Sequence, residues 1–161
     1  MKKLKLYLDT SIISYLDQTD SPEKMAETRL FWRKIKAGEF EIILSRVTLD
    51  ELERCNESKR SVLEEYLAEI QFLCVEKTDD IEKIASDFIA HHILPPKCID
   101  DCYHIAFAIV TGCDMIVSWN FKHIVNHKTQ IGVKIISALE GYNELRVCSP
   151  EFITGGINDD T

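Results

Sequence analysis

Long apolar runs are missing from this 161-residue chain, and no stretch approaches the roughly 18 residues that a membrane-spanning helix needs. The opening residues turn acidic at Asp9, too early for a signal peptide, so a cytoplasmic protein with no membrane partner is expected. With only 6 glycines and 4 prolines, no segment has the composition of a linker or a low-complexity tract. No C-x-x-C pair occurs among Cys55, Cys74, Cys98, Cys102, Cys113 and Cys148, which suits reduced thiols better than a disulfide framework. Cys98-x3-Cys102 with His123-x3-His127 permits a zinc site, but without a knuckle-like spacing the reading preferred is cysteine packed as a small hydrophobe. A basic excess is lacking too: 19 Lys and Arg stand against 27 Asp and Glu, a formal net charge of −8. That balance excludes a passive, sequence-independent nucleic-acid binder, which needs a cationic face. An enzyme remains open, because metal ions neutralise an acidic site, and Lys2, Lys3, Lys5, Arg29, Arg33, Lys34 and Lys36 can form a local basic surface.

What is present is an alternation of short apolar strands and helices at the length of one domain. A single domain over 1–153 is expected, with 154–161 as a flexible tail. Residues 4–8 alternate like a strand and run into a short apolar helix at 12–16; Ser21-Pro22-Glu23 starts a second helix that stops at Gly38. Further strands are expected at 41–45, 72–75, 115–118 and 145–148. Helices are expected from Thr48 onward, at 61–70, from Asp79 or Asp80 to about His91, at 99–110 and at 133–139. Strands separated by helices imply an α/β fold, a three-layer α/β/α sandwich around a mostly parallel sheet.

In such a sheet the carboxyl edge is where ligands bind, and Asp9, Glu51 and Asp101 all fall where a strand gives way to a helix or in a helix's first turn. Ser118-Trp119-Asn120 brings an amide oxygen to the same edge. Helical phase selects Asp101 over Asp100: Cys102, Ile105, Ala106, Ile109 and Cys113 form one apolar stripe, with Asp101 at its margin and Asp100 opposite, facing water. On the same phase His104 lies on the exposed flank and reads as a surface residue. Each acid also has a plain structural role open to it: Thr48-x-x-Glu51 fits a capping box, Asp9 an N-cap, and Asp101 a first-turn carboxylate favoured by the helix dipole. Trp119 and Phe121 more readily close a core than stack on a base, and His91-His92 suits a helix end.

In these segments the chain resembles the PIN-domain family, which includes VapC-type ribonuclease toxins. Leu6-Tyr7-Leu8-Asp9-Thr10-Ser11 resembles the family's opening strand and first acid, and Ser45 to Leu52 its second acidic segment. Asp101 to Ala108 resembles the third, in which the acid opens a helix with small residues, and Met115 to Phe121 the fourth, where many members carry an acid. The resemblance implies a PIN-like fold and a Mg2+- or Mn2+-dependent endoribonuclease site with Asp9, Glu51 and Asp101 as metal-site acids. It puts Asn120 in the fourth place and Thr10, Ser11 and Ser118 beside matched positions. An RNA substrate, an antitoxin protein partner and a homodimer are what the family would bring.

The residue types suit that chemistry independently, because Mg2+ and Mn2+ prefer oxygen ligands where His or Cys would select softer ions. Asn120 departs from the family pattern: an amide oxygen can ligate but adds no charge, so a second metal is held less tightly. Two other classes compete. A PIN-fold module could bind RNA or a protein partner with weak or no turnover. A metal-dependent phosphatase would be expected to carry a nucleophilic Asp-x-Asp near the first strand, which Asp9-Thr10-Ser11 lacks.

Overall fold

Alternation in the first strand decides how the layers form. Leu6 and Leu8 point to one side and Tyr7 to the other, and all three are fully buried, so a sheet built on this strand must be covered on both faces. The computed structural model describes residues 2–155 and has that architecture. In chain order the elements begin with β1 (Leu4–Leu8), α1 (Thr10–Ser14), a 3-10 turn (Tyr15–Asp17) and α2 (Pro22–Lys36). β2 (Phe40–Ser45), α3 (Arg46–Glu53), α4 (Glu57–Leu67), β3 (Leu73–Val75) and α5 (Asp79–Ala90) follow. A second 3-10 turn (Pro96–Cys98) leads into α6 (Ile99–Val110), and β4 (Met115–Val117), α7 (His127–Glu140), β5 (Arg146–Cys148) and α8 (Pro150–Gly155) complete the order.

The five strands lie in the order β3-β2-β1-β4-β5, every neighbouring pair parallel. Leu8 pairs with Val117, and Val117 with Cys148, so β1, β4 and β5 end level. The order reverses direction between β1 and β4, which makes the carboxyl edge there the topological switch point of the sheet. Tyr7, Ile43 and Ile116 face a core closed by α5, α6 and α7, and Leu6, Leu8, Ile42, Leu44 and Val117 face a second core filled from α1 to α4.

All five expected strands are present, and the sheet is wholly parallel. Helix starts were harder to place. α4 begins at Glu57 because Asn56 caps it, its side chain accepting from the Lys59 N–H; the expected range of 61–70 is displaced by about a turn. α7 begins at His127, six residues before 133, with Asn126 capping through the Thr129 N–H. α8 runs through Gly155, so the expected domain boundary at 153 falls inside that helix. Thr154 is buried there, and the rest of the expected tail, 156–161, lies outside the described residues.

α6 is buried on almost every side: Cys102, His104, Ile105, Ala106, Phe107, Ala108 and Ile109 all lie below 3 % exposure. It packs mainly against α5 and also touches the sheet and α3. The single apolar stripe read from its sequence was therefore too narrow, and the expected surface position of His104 is corrected: its side chain is in the core, 2 % exposed.

Candidate active site at the carboxyl edge

Asp9 leaves the end of β1 and is buried at 4 % exposure. It occupies the N-cap position of α1 but makes no side-chain capping bond; its carboxylate instead accepts from Ser11 Oγ at 2.6 Å and Ser118 Oγ at 2.7 Å. The Ser118 hydroxyl in turn accepts from the Asn120 N–H at 2.9 Å, and Ser11 Oγ accepts from the Trp119 N–H at 2.9 Å. The end of β1 and the segment after β4 are thus stitched together around one carboxylate.

Glu51 stands in the second turn of α3. The helix starts directly after β2 with Ser45 as its cap, accepting from the Thr48 N–H, so the capping box expected from Thr48 and Glu51 does not form. Freed from that role, Glu51 accepts from His104 Nε2 at 2.9 Å. His104 Nδ1 lies 2.6 Å from the Tyr7 hydroxyl, which is 2.7 Å from Ser45 Oγ; the Thr10 hydroxyl sits 3.5 Å from Nε2. Burial disfavours an imidazolium, but the Glu51 hydrogen bond and the charges of Asp9, Glu51 and Asp101 outweigh it and raise the His104 pKa. A doubly protonated ring then donates to Tyr7 from Nδ1 and to Glu51 from Nε2.

Asp101 occupies the first turn of α6, half-buried, while Asp100 is exposed, as the helical phase required. One oxygen, Oδ1, faces Asn120 Nδ2 at 3.3 Å; the other, Oδ2, accepts from His123 Nδ1 at 3.0 Å. Asn120 Oδ1 accepts from the His123 N–H at 3.0 Å, so the amide turns its nitrogen toward Asp101 and its oxygen toward the backbone.

The structure therefore gathers Asp9, Glu51, Asp101 and Asn120 at one edge, with Thr10, Ser11 and Ser118 as hydrogen-bond partners. Two participants were missed: His104, hidden by the phase argument, and His123, which had only a weak zinc reading. A polar residue inside a helix as apolar as 99–110 was the available signal for the first; for the second the spacing of Cys98 and Cys102 with His123 and His127 was the only one. Burial pushes the Asp9 and Asp101 pKa values up. Burial acts on Glu51 in the same sense, yet its bond to His104 prevails and holds its pKa down. An all-oxygen set of carboxylates, one of them buried, beside a histidine they push toward its protonated form, is chemically matched to a hard divalent cation.

The pKa directions set a pH dependence. Asp9, Asp101 and His104 bind protons more tightly folded than unfolded. Their stabilisation is complete below the unfolded values, about 4 for Asp and 6.5 for His, and is lost as pH rises through the raised folded values. Glu51 acts oppositely, losing its contribution only as pH falls through its lowered value, well to the acid side. In chelator-treated protein the melting temperature should fall as pH rises above the ordinary histidine value of about 6.5, and fall less in Asp9→Asn. Parallel slopes for the two proteins would contradict the coupling.

The sequence model of the PIN domain family matches residues 6–122, and the chain belongs to that family. Comparison with curated proteins gives no match. Among solved structures the fold is similar to VapC20 of Mycobacterium tuberculosis, a sarcin-ricin loop cleaving toxin, at 14 % identity and a TM-score of 0.57 over 73 % of this chain and 92 % of that one. It is also similar to VapBC2 of Rickettsia felis bound to a DNA fragment from its promoter, at 12 % identity and a TM-score of 0.55 over 91 % and 98 % of the two chains.

Proposed function

We propose that this PIN-domain protein is a Mg2+- or Mn2+-dependent endoribonuclease, the toxin of a toxin-antitoxin pair. The observation that carries the reading is that Asp9, Glu51 and Asp101, from three separate elements at the carboxyl edge, all act by charge on the one buried ring of His104. Those three acids would hold the cation. When bound, it would activate water and stabilise charge on the phosphate and the departing oxygen. Ser11 and Ser118 orient the Asp9 carboxylate. His104 fixes the rotamer of Glu51. Asn120, with its amide nitrogen on Asp101, positions that acid or a water; serving as a ligand through oxygen would require it to rotate and give up the His123 N–H.

RNA as substrate is supported by the Mycobacterium tuberculosis neighbour, a toxin that cleaves the sarcin-ricin loop, and an antitoxin partner by the Rickettsia felis complex. A homodimer belongs to the same reading, with exposed Ile131, Ile135 and Leu139, spaced four apart on α7, as an available apolar stripe. No helix among the described residues is long and apolar enough to cross a membrane, which is compatible with the proposed cytoplasmic location.

A second reading, a module that binds RNA or a protein with weak or no turnover, draws on Asn120, whose amide is already engaged on both sides. The deciding experiment is cleavage of a mixed RNA pool under Mn2+ titration, with melting temperature followed in parallel, for the wild type and Asp9→Asn. The wild type should cleave and be stabilised by Mn2+ through mass action, and Asp9→Asn should lose both effects. Metal binding without cleavage would favour the binding module; equal Mn2+ affinity in the two proteins would remove the site.

A further inference from the structure

Asp101 faces two ways. Its Oδ1 faces the Asn120 amide and its Oδ2 the ring of His123, whose other nitrogen, Nε2, lies 3.6 Å from Cys98 Sγ. Ligand atoms of Cys98, Asp101 and His123 all lie within 4.8 Å of one another, the one such grouping of His, Cys, Asp and Glu among the described residues. Zn–S and Zn–N bonds of about 2.3 and 2.0 Å at a tetrahedral angle place sulfur and nitrogen about 3.5 Å apart, which the Cys98–His123 separation already matches. Asp101 Oδ2 is bonded to the far nitrogen of His123, Nδ1, the usual outer-sphere arrangement, and it becomes a direct ligand only by giving up that bond.

The local fold explains why these residues meet. The 3-10 turn Pro96–Cys98 delivers Cys98 one helical turn before Asp101, and the loop after β4 brings His123 across them through the Asn120 hydrogen bonds. Cys102 is fully buried and His127 exposed, and neither belongs to the cluster. The half-buried His123 lines a surface cavity of about 510 Å³ shared with Pro95, Phe121 and Asn126, so this one of the three residues is reached from solvent.

We propose that Cys98, His123 and Asp101 form a binding site for a borderline-soft divalent cation of the zinc type, and that its occupation withdraws Asp101 from the hard-cation site. The second half rests on the nuclease reading above; the first does not. Binding deprotonates the Cys98 thiol, its proton passing to solvent, and leaves a thiolate-imidazole-carboxylate set that Mg2+ does not favour and Zn2+ does. Zinc would thus act as an inhibitor by engaging the one acid that the two adjoining sites share.

Cobalt(II) serves as the spectroscopic probe. Stoichiometric Co2+ added to reduced full-length protein should give a thiolate-to-cobalt charge-transfer band in the wild type and in Cys102→Ser. Zinc should displace that band, and it should be lost in Cys98→Ser and His123→Asn, each checked for folding by circular dichroism. No band in the wild type, or a band that survives in Cys98→Ser, overturns the site. For the shared acid, Zn2+ should release bound Mn2+, read by electron paramagnetic resonance, from the wild type and fail to do so from Cys98→Ser. Mn2+ that stays bound when the cobalt band is present overturns the sharing and leaves the site. Absence of Mn2+ binding altogether overturns the acidic centre and the sharing with it, while the cobalt band still judges the site.

Discussion

Asp101→Asn is expected to reduce RNA cleavage by at least about 100-fold, the upper end of what losing an outer-sphere partner alone costs a metal site. The neighbouring Asp100→Asn should leave most of it. Asp101 is half-buried with each oxygen engaged on a different neighbour, whereas Asp100 points to solvent from the same turn of α6. Asparagine keeps the shape and one acceptor but removes the charge that a hard cation requires. The fold should tolerate the change, because burial already disfavours the ionised carboxylate. Single-turnover cleavage rates for the two variants, at Mn2+ concentrations well above that needed by the wild type, make the comparison. Equal loss in both, or greater loss in Asp100→Asn, would show that cleavage does not depend on the inward-facing acid.

The largest effect on stability is expected from His104→Ala. The buried His104 ring holds Glu51 and carries the Tyr7 hydroxyl, and the charges of Asp9, Glu51 and Asp101 favour its protonated form. Breaking a buried ion pair from one side costs about 3–5 kcal/mol. The lower end is expected, since the Glu51 side chain is 27 % exposed and can reach water. For a chain of this size about 3 kcal/mol corresponds to a melting temperature lower by roughly 6–12 °C. A bound cation would take over part of the charge compensation, so saturating Mn2+ should narrow the gap between variant and wild type. Thermal unfolding with and without Mn2+ reads both quantities; a variant as stable as the wild type would mean that the ring is a neutral core filler.

The strands were legible because parallel strands buried on both faces must be short, apolar and bounded by turn residues, a pattern that 41–45 and 115–118 carry openly. Helix starts were less so: Asn56 and Asn126 each cap a helix whose first turn is polar, Glu57-Ser58-Lys59 and His127-Lys128-Thr129-Gln130, and polarity there reads as loop. At the site, the one-in, one-out contrast of Asp101 and Asp100 followed from period alone. His104 did not, because the phase argument assumes one wet face and α6 has almost none. Glu51 illustrates a further limit. The sequence allowed either a capping carboxylate or a site carboxylate, and only the position of Ser45, one residue after the last buried apolar residue of β2, assigns the cap elsewhere.

The Asp9 amide donates to the Val117 carbonyl and the Ser118 amide to the Cys148 carbonyl, so the two residues that begin the acidic edge belong to the backbone ladder of the sheet's central strands. Their relative placement is preorganised: local loop motion cannot change it, and only opening of the sheet itself would. Asn120 and His123 lie outside that ladder, on the connection to α7, where the Asn120 carbonyl accepts from the Ile124 and Val125 amides and its side chain accepts from the His123 amide. One wall of the site is therefore held by the sheet and the other by a local turn, so a change in the turn's sequence would move Asn120 and His123 without moving Asp9.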